Sequence, residues 1–206
     1  TKLGVVNGTT GPSNSAAVYY GAVWGLKIKN VVDVRFTRVR IERFSYRGVS
    51  VYGSQTQRVV LHNCEGFHNT ATGFWVSDAA LLWIAGGEYA YNGIRGNPGT
   101  GYGVTASSNV GKVVSIGAYY HNNYRKGLDS HGCGGAIVLN NIFENNVVYH
   151  LAFPNWNVPA GVSDAVFSIK GNNFSNGADA VGRAFLQDAH TQIVANGFAD
   201  SPLYQG

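Results

Sequence analysis

A short strand-like segment that begins with a glycine recurs along this chain and constrains its fold more than any other feature. The segment occupies residues 25–28, 48–51, 73–76, 103–106 and 127–130. Its glycines are separated by 23, 25, 30 and 24 residues. A repeat of this length predicts a solenoid, in which each unit buries its inner face only against its neighbours.

Side chains within each repeat alternate as in a β-strand instead of following a helical period. Val49 and Val51 share one side of their segment, as do Phe74 and Val76 in the next, so we expect these positions to point into a common core. Asparagine and glycine are frequent between the segments and supply the left-handed backbone that tight corners need. The sequence therefore predicts an all-β fold, a single-stranded parallel β-helix of about seven coils.

We expect a single β-helix domain, or a fragment of one, over residues 1–206, because no linker divides the chain. Residues 1–22 are rich in glycine, serine and threonine, and they predict a loop or an imperfect first coil. Residues 178–206 predict an irregular final coil. The chain begins at Thr1 and contains no methionine, so we expect it to be a segment of a longer protein.

Two repeats are longer than the others, and their insertions bracket the repeat that contains Gly127. The first insertion covers residues 92–101 and includes Arg95, and the second covers residues 152–161 and includes Trp156. Long loops on a rigid scaffold commonly carry functional residues. We expect the two loops to border a groove, with Arg95 and Trp156 among the substrate-binding residues.

The densest cluster of titratable residues lies between these two insertions. If Leu128 points inward, Asp129 and His131 point outward side by side. Lys126 and Arg125 immediately precede them. The alternative interpretation is an ordinary surface ion pair, since such networks are not always active sites. The predicted catalytic residues are Lys126, Asp129, His131 and Arg125.

Candidates for substrate binding follow from the expected register of the coils, which lie about 4.8 Å apart. Trp75 takes the outward position that matches Asp129 two coils earlier, and an indole beside charged groups suits stacking on a sugar ring. His150 comes from the following coil and falls near the position of Gly127. The predicted substrate-binding residues outside the insertions are Trp75, His121, Tyr124 and His150.

The chain has a formal net charge of +4, and much of the excess lies in one stretch. This stretch predicts either the binding of a polyanion, such as an acidic polysaccharide, or a solvated surface. Its basic residues face only Asp33 and Glu42 and are Lys27, Lys29, Arg35, Arg38, Arg40, Arg43 and Arg47.

Several partners are not expected. Aromatic and basic residues are not interleaved as a platform for single-stranded nucleic acid requires, and the longest apolar run is too short for membrane insertion. Asp129, His131 and His150 lack the spacing of metal ligands. Cys64 and Cys133 match no metal motif and are expected to be buried thiols, with a single disulfide bridge as the alternative. We therefore expect no metal and no cofactor.

The coil pattern over residues 25–198 resembles the pectate-lyase-like right-handed β-helices, which include uronate lyases, epimerases and phage tailspike depolymerases. Residues 126–131 (Lys-Gly-Leu-Asp-Ser-His) are similar to the Tyr-Gly-x-Asp-Pro-His motif of mannuronan epimerases, with Lys126 in place of the tyrosine and Ser130 in place of the proline. The resemblance implies a right-handed β-helix that acts on a polysaccharide, outside the cell or on a virion. For a tailspike it also implies a homotrimer.

The leading hypothesis for the chemistry is β-elimination on an acidic polysaccharide. Arg125 or His131 would neutralise the uronate carboxylate. Lys126 would remove the proton from the neighbouring carbon, and Asp129 would orient His131. A proton would return to the leaving oxygen from one of three side chains, His131, His121 or Tyr124.

Two other hypotheses stay open because many chemistries share this scaffold. Glycoside hydrolysis would pair Asp129 with Asp179, expected two coils away at about 9.6 Å, at the edge of the range of about 6.5–9.5 Å for inverting enzymes. The third hypothesis is a glycan-binding or structural β-helix segment without activity. An unsaturated product would indicate a lyase, and a plain reducing end would indicate a hydrolase.

Overall fold

The computed structural model describes residues 4–7, 10–14, 17–20, 23–94, 97, 100–131, 133–152, 166–176, 185–186, 191–194 and 197–198. Side chains are described in residues 23–94, 97, 100–131, 133–152 and 168–176. Within these ranges, β-strands are the only regular secondary structure.

Three parallel sheets run along the molecule, and each takes one strand from every coil. Sheet 1 has seven strands: β4 (Trp24–Lys29), β7 (Arg47–Tyr52), β10 (Thr72–Val76), β13 (Tyr102–Ala106), β16 (Lys126–Ser130), β19 (Tyr149–Ala152) and β22 (Phe185–Leu186). Sheet 2 also has seven: β5 (Asp33–Thr37), β8 (Arg58–His62), β11 (Leu81–Ala85), β14 (Lys112–Ile116), β17 (Gly135–Leu139), β20 (Val166–Lys170) and β23 (Thr191–Val194).

Sheet 3 contains one strand from each coil and one from the N-terminal segment. Its eight strands are β1 (Gly4–Asn7), β6 (Val39–Glu42), β9 (Glu65–Phe67), β12 (Glu88–Ala90), β15 (Tyr119–His121), β18 (Ile142–Glu144), β21 (Asn173–Ser175) and β24 (Gly197–Phe198). The N-terminal segment also forms an antiparallel pair, β2 (Thr10–Asn14) and β3 (Ala17–Tyr20).

The chain visits the sheets in the order 1, 2, 3 and repeats that order from β4 to β24, which makes seven coils. The β-helix predicted from the glycine repeat is therefore confirmed. The strands β22, β23 and β24 continue the three sheets in the region expected to be an irregular final coil. Most of residues 178–206 lie outside the described residues.

The repeat glycines mark the point where successive coils approach most closely. A Cβ atom at Gly103 would lie 2.6 Å from the carbonyl oxygen of Gly127, and one at Gly127 would lie 2.6 Å from that of His150. The residue pairing between the strands of sheet 1 skips these glycines. The side chains before and after each glycine therefore do not follow strict alternation, and this decides the geometry of the candidate site.

In the core, the side chains at equivalent positions of successive coils stack on one another. In sheet 3 the rings of Tyr89, Tyr120, Phe143 and Phe174 follow one another at centroid distances of 5.2, 4.9 and 5.0 Å. In sheet 1, Leu128 is fully buried in the same core, as the alternation predicts. Stacking of this kind gives each coil its stability only in the presence of its neighbours.

Buried asparagines join the coils at the corner between sheet 3 and sheet 1. The amide nitrogen of Asn69 donates to Oδ1 of Asn92, that of Asn92 to Asn123, and that of Asn123 to Asn146, at 3.0, 3.0 and 2.9 Å. The preceding residues adopt left-handed backbone, for example Asn122 at a φ of 51°. The abundance of asparagine near the predicted corners thus has a structural cause.

The basic stretch of the sequence does not form one surface. Lys27, Lys29 and Arg47 belong to sheet 1, and Arg35 belongs to sheet 2. Arg40 lies on sheet 3, where it contacts Glu42 at 2.6 Å. The basic residues of this stretch are therefore divided among the three sheets, because the chain turns two corners within them, and the choice between polyanion binding and a solvated surface stays a prediction. Both cysteines are buried free thiols.

Candidate functional site

The outer face of sheet 1 carries two rows of side chains in register. The residues that precede the repeat glycines, and Tyr149 before the equivalent His150, form outer row 1: Trp24, Arg47, Thr72, Tyr102, Lys126 and Tyr149. The residues two positions after those glycines, and after His150, form outer row 2: Lys27, Ser50, Trp75, Thr105, Asp129 and Ala152.

Outer row 1 alternates aromatic and cationic side chains over much of its length. The sequence suggested that these residue types are not interleaved, and this reasoning is corrected by the fold, which brings together residues 23 to 30 positions apart. Such interleaving suits an extended polyanion, because cations attract its charges and rings pack against its units. The absence of a nucleic-acid partner therefore stays a prediction.

Lys126, Asp129 and His131 lie together on this face. The Lys126 ammonium donates a hydrogen bond to Oδ1 of Asp129 at 2.5 Å, and Nε2 of His131 lies 2.6 Å from Oδ2 of the same carboxylate. The side chains of Asp129 and Lys126 are 0% and 5% exposed, whereas that of His131 is 29% exposed. His131 is therefore the member of this cluster that solvent and ligands can reach.

Two tyrosines from the adjacent coils cover the buried pair. The Lys126 ammonium lies 5.7 Å from the ring centroids of both Tyr102 and Tyr149. Burial raises the pKa of the Tyr102 hydroxyl, and the nearby Asp129 carboxylate raises it further, while Arg125 acts in the opposite direction. The Tyr102 ring also meets the His131 ring edge-on at 6.1 Å.

Two depressions open on the outer face of sheet 1. The smaller, about 140 Å³, contains His131 and Tyr102 together with Arg47 and Trp75. The larger, about 220 Å³, lies toward the first coil and shares Arg47 and Trp75 with the smaller one. Together they form a groove along the solenoid axis, which we call the sheet 1 groove.

The Arg47 guanidinium lies 3.9 Å from the ring centroid of Trp75 and donates to the Tyr46 hydroxyl at 3.0 Å. Burial lowers the pKa of Arg47, and the neighbouring Tyr46 opposes this effect. Trp75 was predicted to contact substrate, and it lies in the groove. The Arg47 guanidinium covers one face of the Trp75 ring. A ligand at this point therefore meets a positive charge next to an apolar surface.

Arg125 and Tyr124 lie in the turn before β16. The Arg125 guanidinium is 5.6 Å from the Tyr102 ring centroid, so it borders the cluster. Tyr124 is 41% exposed, and its Cβ packs against the corner at Gly93. The predicted roles of Arg125 and Tyr124 stay predictions.

His121 belongs to a different face of the molecule. It lies in β15 of sheet 3, where it contacts Glu88 at 2.8 Å and stacks on Tyr119 at 4.0 Å. The corner at Asn122 and Asn123 separates it from sheet 1. His121 is 6% exposed, and its expected place beside Asp129 is corrected, because nearness in sequence does not carry across a corner.

His150 points into the core. It occupies the glycine position of its coil, since its neighbours pair with Lys126 and Leu128. It is 0% exposed and lies beside the stacked rings of Phe143 and Phe174, at centroid distances of 6.5 and 6.0 Å. The predicted register is confirmed, but a contact of His150 with substrate is not compatible with this burial.

Arg95, Trp156 and Asp179 lie outside the described residues, as do most of the second insertion and part of the first. The predictions that depend on them, a groove bordered by two loops and a second carboxylate opposite Asp129, therefore stay predictions. In outer row 2 the positions adjacent to Asp129 are Thr105 and Ala152, neither of which is acidic.

Tyr102, Arg47, Trp24 and Tyr52 were not predicted as site residues. A signal for three of them exists in the sequence, since the residue before each repeat glycine occupies outer row 1. Lys126 before Gly127 is one instance of this rule. Applying the rule to every repeat would have found Trp24, Arg47 and Tyr102.

In comparisons with known proteins, the chain matches the family model of the right-handed β-helix region over residues 24–198. The fold and this match define the class, and the chain belongs to the right-handed β-helix family. Neither the curated proteins nor the solved structures gave a match. The family is consistent with a polysaccharide-active or a structural β-helix protein.

Among the described residues, no group of three or more histidine, cysteine, aspartate or glutamate side chains is arranged to hold a metal ion. The same residues include no helix with the length and hydropathy needed to cross a membrane.

Proposed function

We propose that this β-helix binds an acidic polysaccharide in the sheet 1 groove and cleaves it by β-elimination at His131. The observation that carries the proposal is the contact of 2.6 Å between His131 and the buried Asp129 carboxylate. His131 itself lines a depression that also contains Arg47 and Trp75. An imidazole oriented by a carboxylate is a common general base, and a cation beside it suits a negatively charged substrate.

In this proposal, Arg125, whose guanidinium lies 5.6 Å from the Tyr102 ring centroid beside His131, neutralises the uronate carboxylate and the charge that develops on it. His131 accepts the proton from the carbon that bears the carboxylate, and the electron pair left behind forms a double bond to the adjacent carbon. The bond from that carbon to the glycosidic oxygen breaks, and Tyr102 donates a proton to the leaving oxygen. A tyrosine hydroxyl is protonated near neutral pH even without a shift, and the pKa of Tyr102 is raised further by burial, so the hydroxyl carries a proton that it can donate.

The proposal changes the roles expected from the sequence. Lys126 is buried and donates to Asp129, so it is poorly placed to reach a substrate proton. We assign Lys126 a positioning role: it fixes Asp129, and Asp129 fixes His131. Asp129 remains the residue that orients His131, as expected from the sequence.

Glycan binding without cleavage is the second candidate function. It is favoured by the burial of the Asp129 carboxylate, whose two oxygens already contact Lys126 and His131. This arrangement also disfavours hydrolysis by Asp129, because a nucleophile or general acid of a glycosidase must reach the sugar. The same groove residues would serve a binding module.

The test uses wild-type protein and His131→Ala with polygalacturonate, alginate and bacterial capsular polysaccharides, and dextran as a neutral control. We expect an unsaturated, ultraviolet-absorbing product from wild type and a rate at least ~100-fold lower from His131→Ala. His62→Ala, an exposed histidine of sheet 2, is the matched control and should retain full activity. Plain reducing ends in the product would contradict the elimination, and binding without any product would favour the second candidate.

A location outside the cell or on a virion, and assembly as a homotrimer, are further proposals that rest on the resemblance to tailspike depolymerases. The solution mass by light scattering tests the trimer.

A further inference from the structure

The larger depression of the sheet 1 groove lies toward the first coil, and its residues Lys27, Ser50 and Tyr52 take no part in the chemistry proposed above. It measures about 220 Å³ and is lined by Trp24, Lys27, Arg47, Ser50, Tyr52 and Trp75. Ser50 forms its floor in outer row 2, directly between Lys27 and Trp75. Its walls are therefore aromatic and cationic.

The cations of this depression lie over aromatic rings and not beside carboxylates. The Lys27 ammonium lies 4.6 Å from the Trp24 ring centroid and 5.8 Å from that of Tyr52. Arg47 lies over Trp75 in the same way. In the described part of the chain, no carboxylate comes within ion-pair distance of Lys27 or Arg47, so their charge is available to an anion.

The register gives the distance from this depression to the reacting group. Lys27 and Asp129 occupy the same row four coils apart, which corresponds to roughly 19 Å at the usual spacing of parallel strands. The spacing between neighbouring coils, about 4.8 Å, is close to the length that one pyranose adds to an extended polysaccharide. A chain that runs along the groove would therefore place about one sugar on each coil.

We propose that this depression is a subsite for an anionic sugar of the same polysaccharide, several units away from the bond that is cleaved at His131. Lys27 binds the carboxylate or sulfate of that sugar, and Tyr52 and the edge of the Trp24 indole border its ring. The inference rests on the proposed function, and it adds that efficient cleavage needs a substrate long enough to span both depressions.

An anionic sugar fits the depression better than a nucleobase does. A base needs an open aromatic face on which to stack, whereas Trp24 and Trp75 each have a cation over the ring. A sugar acid needs cations at the edge of a ring-lined surface, which is the arrangement present. Single-stranded DNA is nevertheless a polyanion and is one arm of the test.

The experiment compares Lys27→Met, which keeps most of the apolar stem of the side chain, with Lys112→Met, which removes one exposed charge from sheet 2. Substrates are a trisaccharide, too short to span both depressions, and an octasaccharide of the uronate polymer that wild type cleaves. We expect Lys27→Met to lower kcat/KM about tenfold on the octasaccharide and to leave the trisaccharide unchanged. Lys112→Met should change neither.

A binding arm separates failure of the subsite from failure of the proposed chemistry. Affinity for polygalacturonate and alginate is measured by affinity electrophoresis in the His131→Ala background, with and without Lys27→Met. We expect about tenfold weaker binding on loss of Lys27, whether or not wild type cleaves any polymer. Equal effects of Lys27→Met and Lys112→Met, equal loss on both oligosaccharides, or tighter binding of oligo(dT) than of either polyuronate would overturn the subsite.

Discussion

The Lys126 ammonium and the Asp129 carboxylate are buried together, and their exclusion from water decides what each can do. A buried charge without a partner is costly, so each group needs the other. The pair is possible because the glycine between them breaks the alternation of β16, which places residues 126 and 129 on the same face. A lysine three residues from an aspartate on a regular strand would point the opposite way.

We predict that Lys126→Met lowers the free energy of unfolding by about 3 kcal/mol, because it leaves the Asp129 carboxylate buried with only His131 beside it. The double variant Lys126→Met/Asp129→Asn should recover part of this loss, since it removes the unpaired charge. Urea unfolding of the single and double variants measures the coupling between the two residues. Additive effects of the two substitutions would contradict the buried ion pair.

The sequence predicted that Asp129 and His131 lie together on the outside of the coil, but not that Asp129 is shielded from solvent. The shielding comes from Tyr102 and Tyr149, which lie 24 and 23 residues away from Lys126 in the chain. Their position depends on register between coils, not on local pattern. His121 illustrates the same limit, since a single corner moves it to another sheet.

At the level of elements, the corners before β10, β13, β16 and β19 of sheet 1 are built by the asparagine ladder. Asn123 accepts hydrogen bonds from the backbone and side chain of Asn92 at 3.2 and 3.0 Å. It donates to the carbonyl of Tyr89 and to Asn146, each at 2.9 Å. Each asparagine therefore joins three coils, which explains why a motif that looks local in the sequence specifies the stacking.

We predict that Asn123→Ala lowers the free energy of unfolding by about 3 kcal/mol, since it leaves the buried backbone N–H of Asn92 without its side-chain acceptor and removes the amide that donates to the Tyr89 carbonyl and to Asn146. Asn173→Ala, an exposed asparagine of β21, is the control and should change stability by less than about 0.5 kcal/mol. Thermal or urea unfolding provides the measurement. Similar losses for the two variants would mean that the ladder contributes no more than a surface amide.

For the whole molecule, the outer faces of sheet 1 and sheet 3 differ in charge. The difference follows from where each repeat places its charged residues. Sheet 3 carries Glu42, Glu65, Glu88 and Glu144, whereas the groove of sheet 1 contains Lys27 and Arg47. The glycine repeat made the coils predictable from the sequence. Which face collects the cations was not predictable, because the basic stretch crosses two corners and only the register sorts its residues among the sheets.

The stack of coils also makes the stability of the molecule sensitive to acid through His150. Burial lowers the pKa of this imidazole from 6.5 to about 4, although Glu144 acts in the opposite direction. Nδ1 lies 3.2 Å from the Asn146 amide, and within the described residues Nε2 has no hydrogen-bond partner. The folded protein therefore keeps His150 neutral at pH values at which the unfolded chain already binds a proton.

The sign of the effect follows from this difference in bound protons. Above pH 6.5 His150 is neutral in both states, so it contributes no pH dependence. Between pH 6.5 and about 4 only the unfolded state is protonated, and the stability falls with falling pH by roughly 3 kcal/mol in total.

We expect His150→Leu to remove this part of the slope, whereas the exposed control His62→Ala should keep it. Urea unfolding between pH 8 and pH 4 tests the prediction, because other acid-sensitive groups are common to all three proteins and cancel in the comparison. Parallel stability curves for wild type and His150→Leu would contradict a neutral, buried imidazole in the core of the stack.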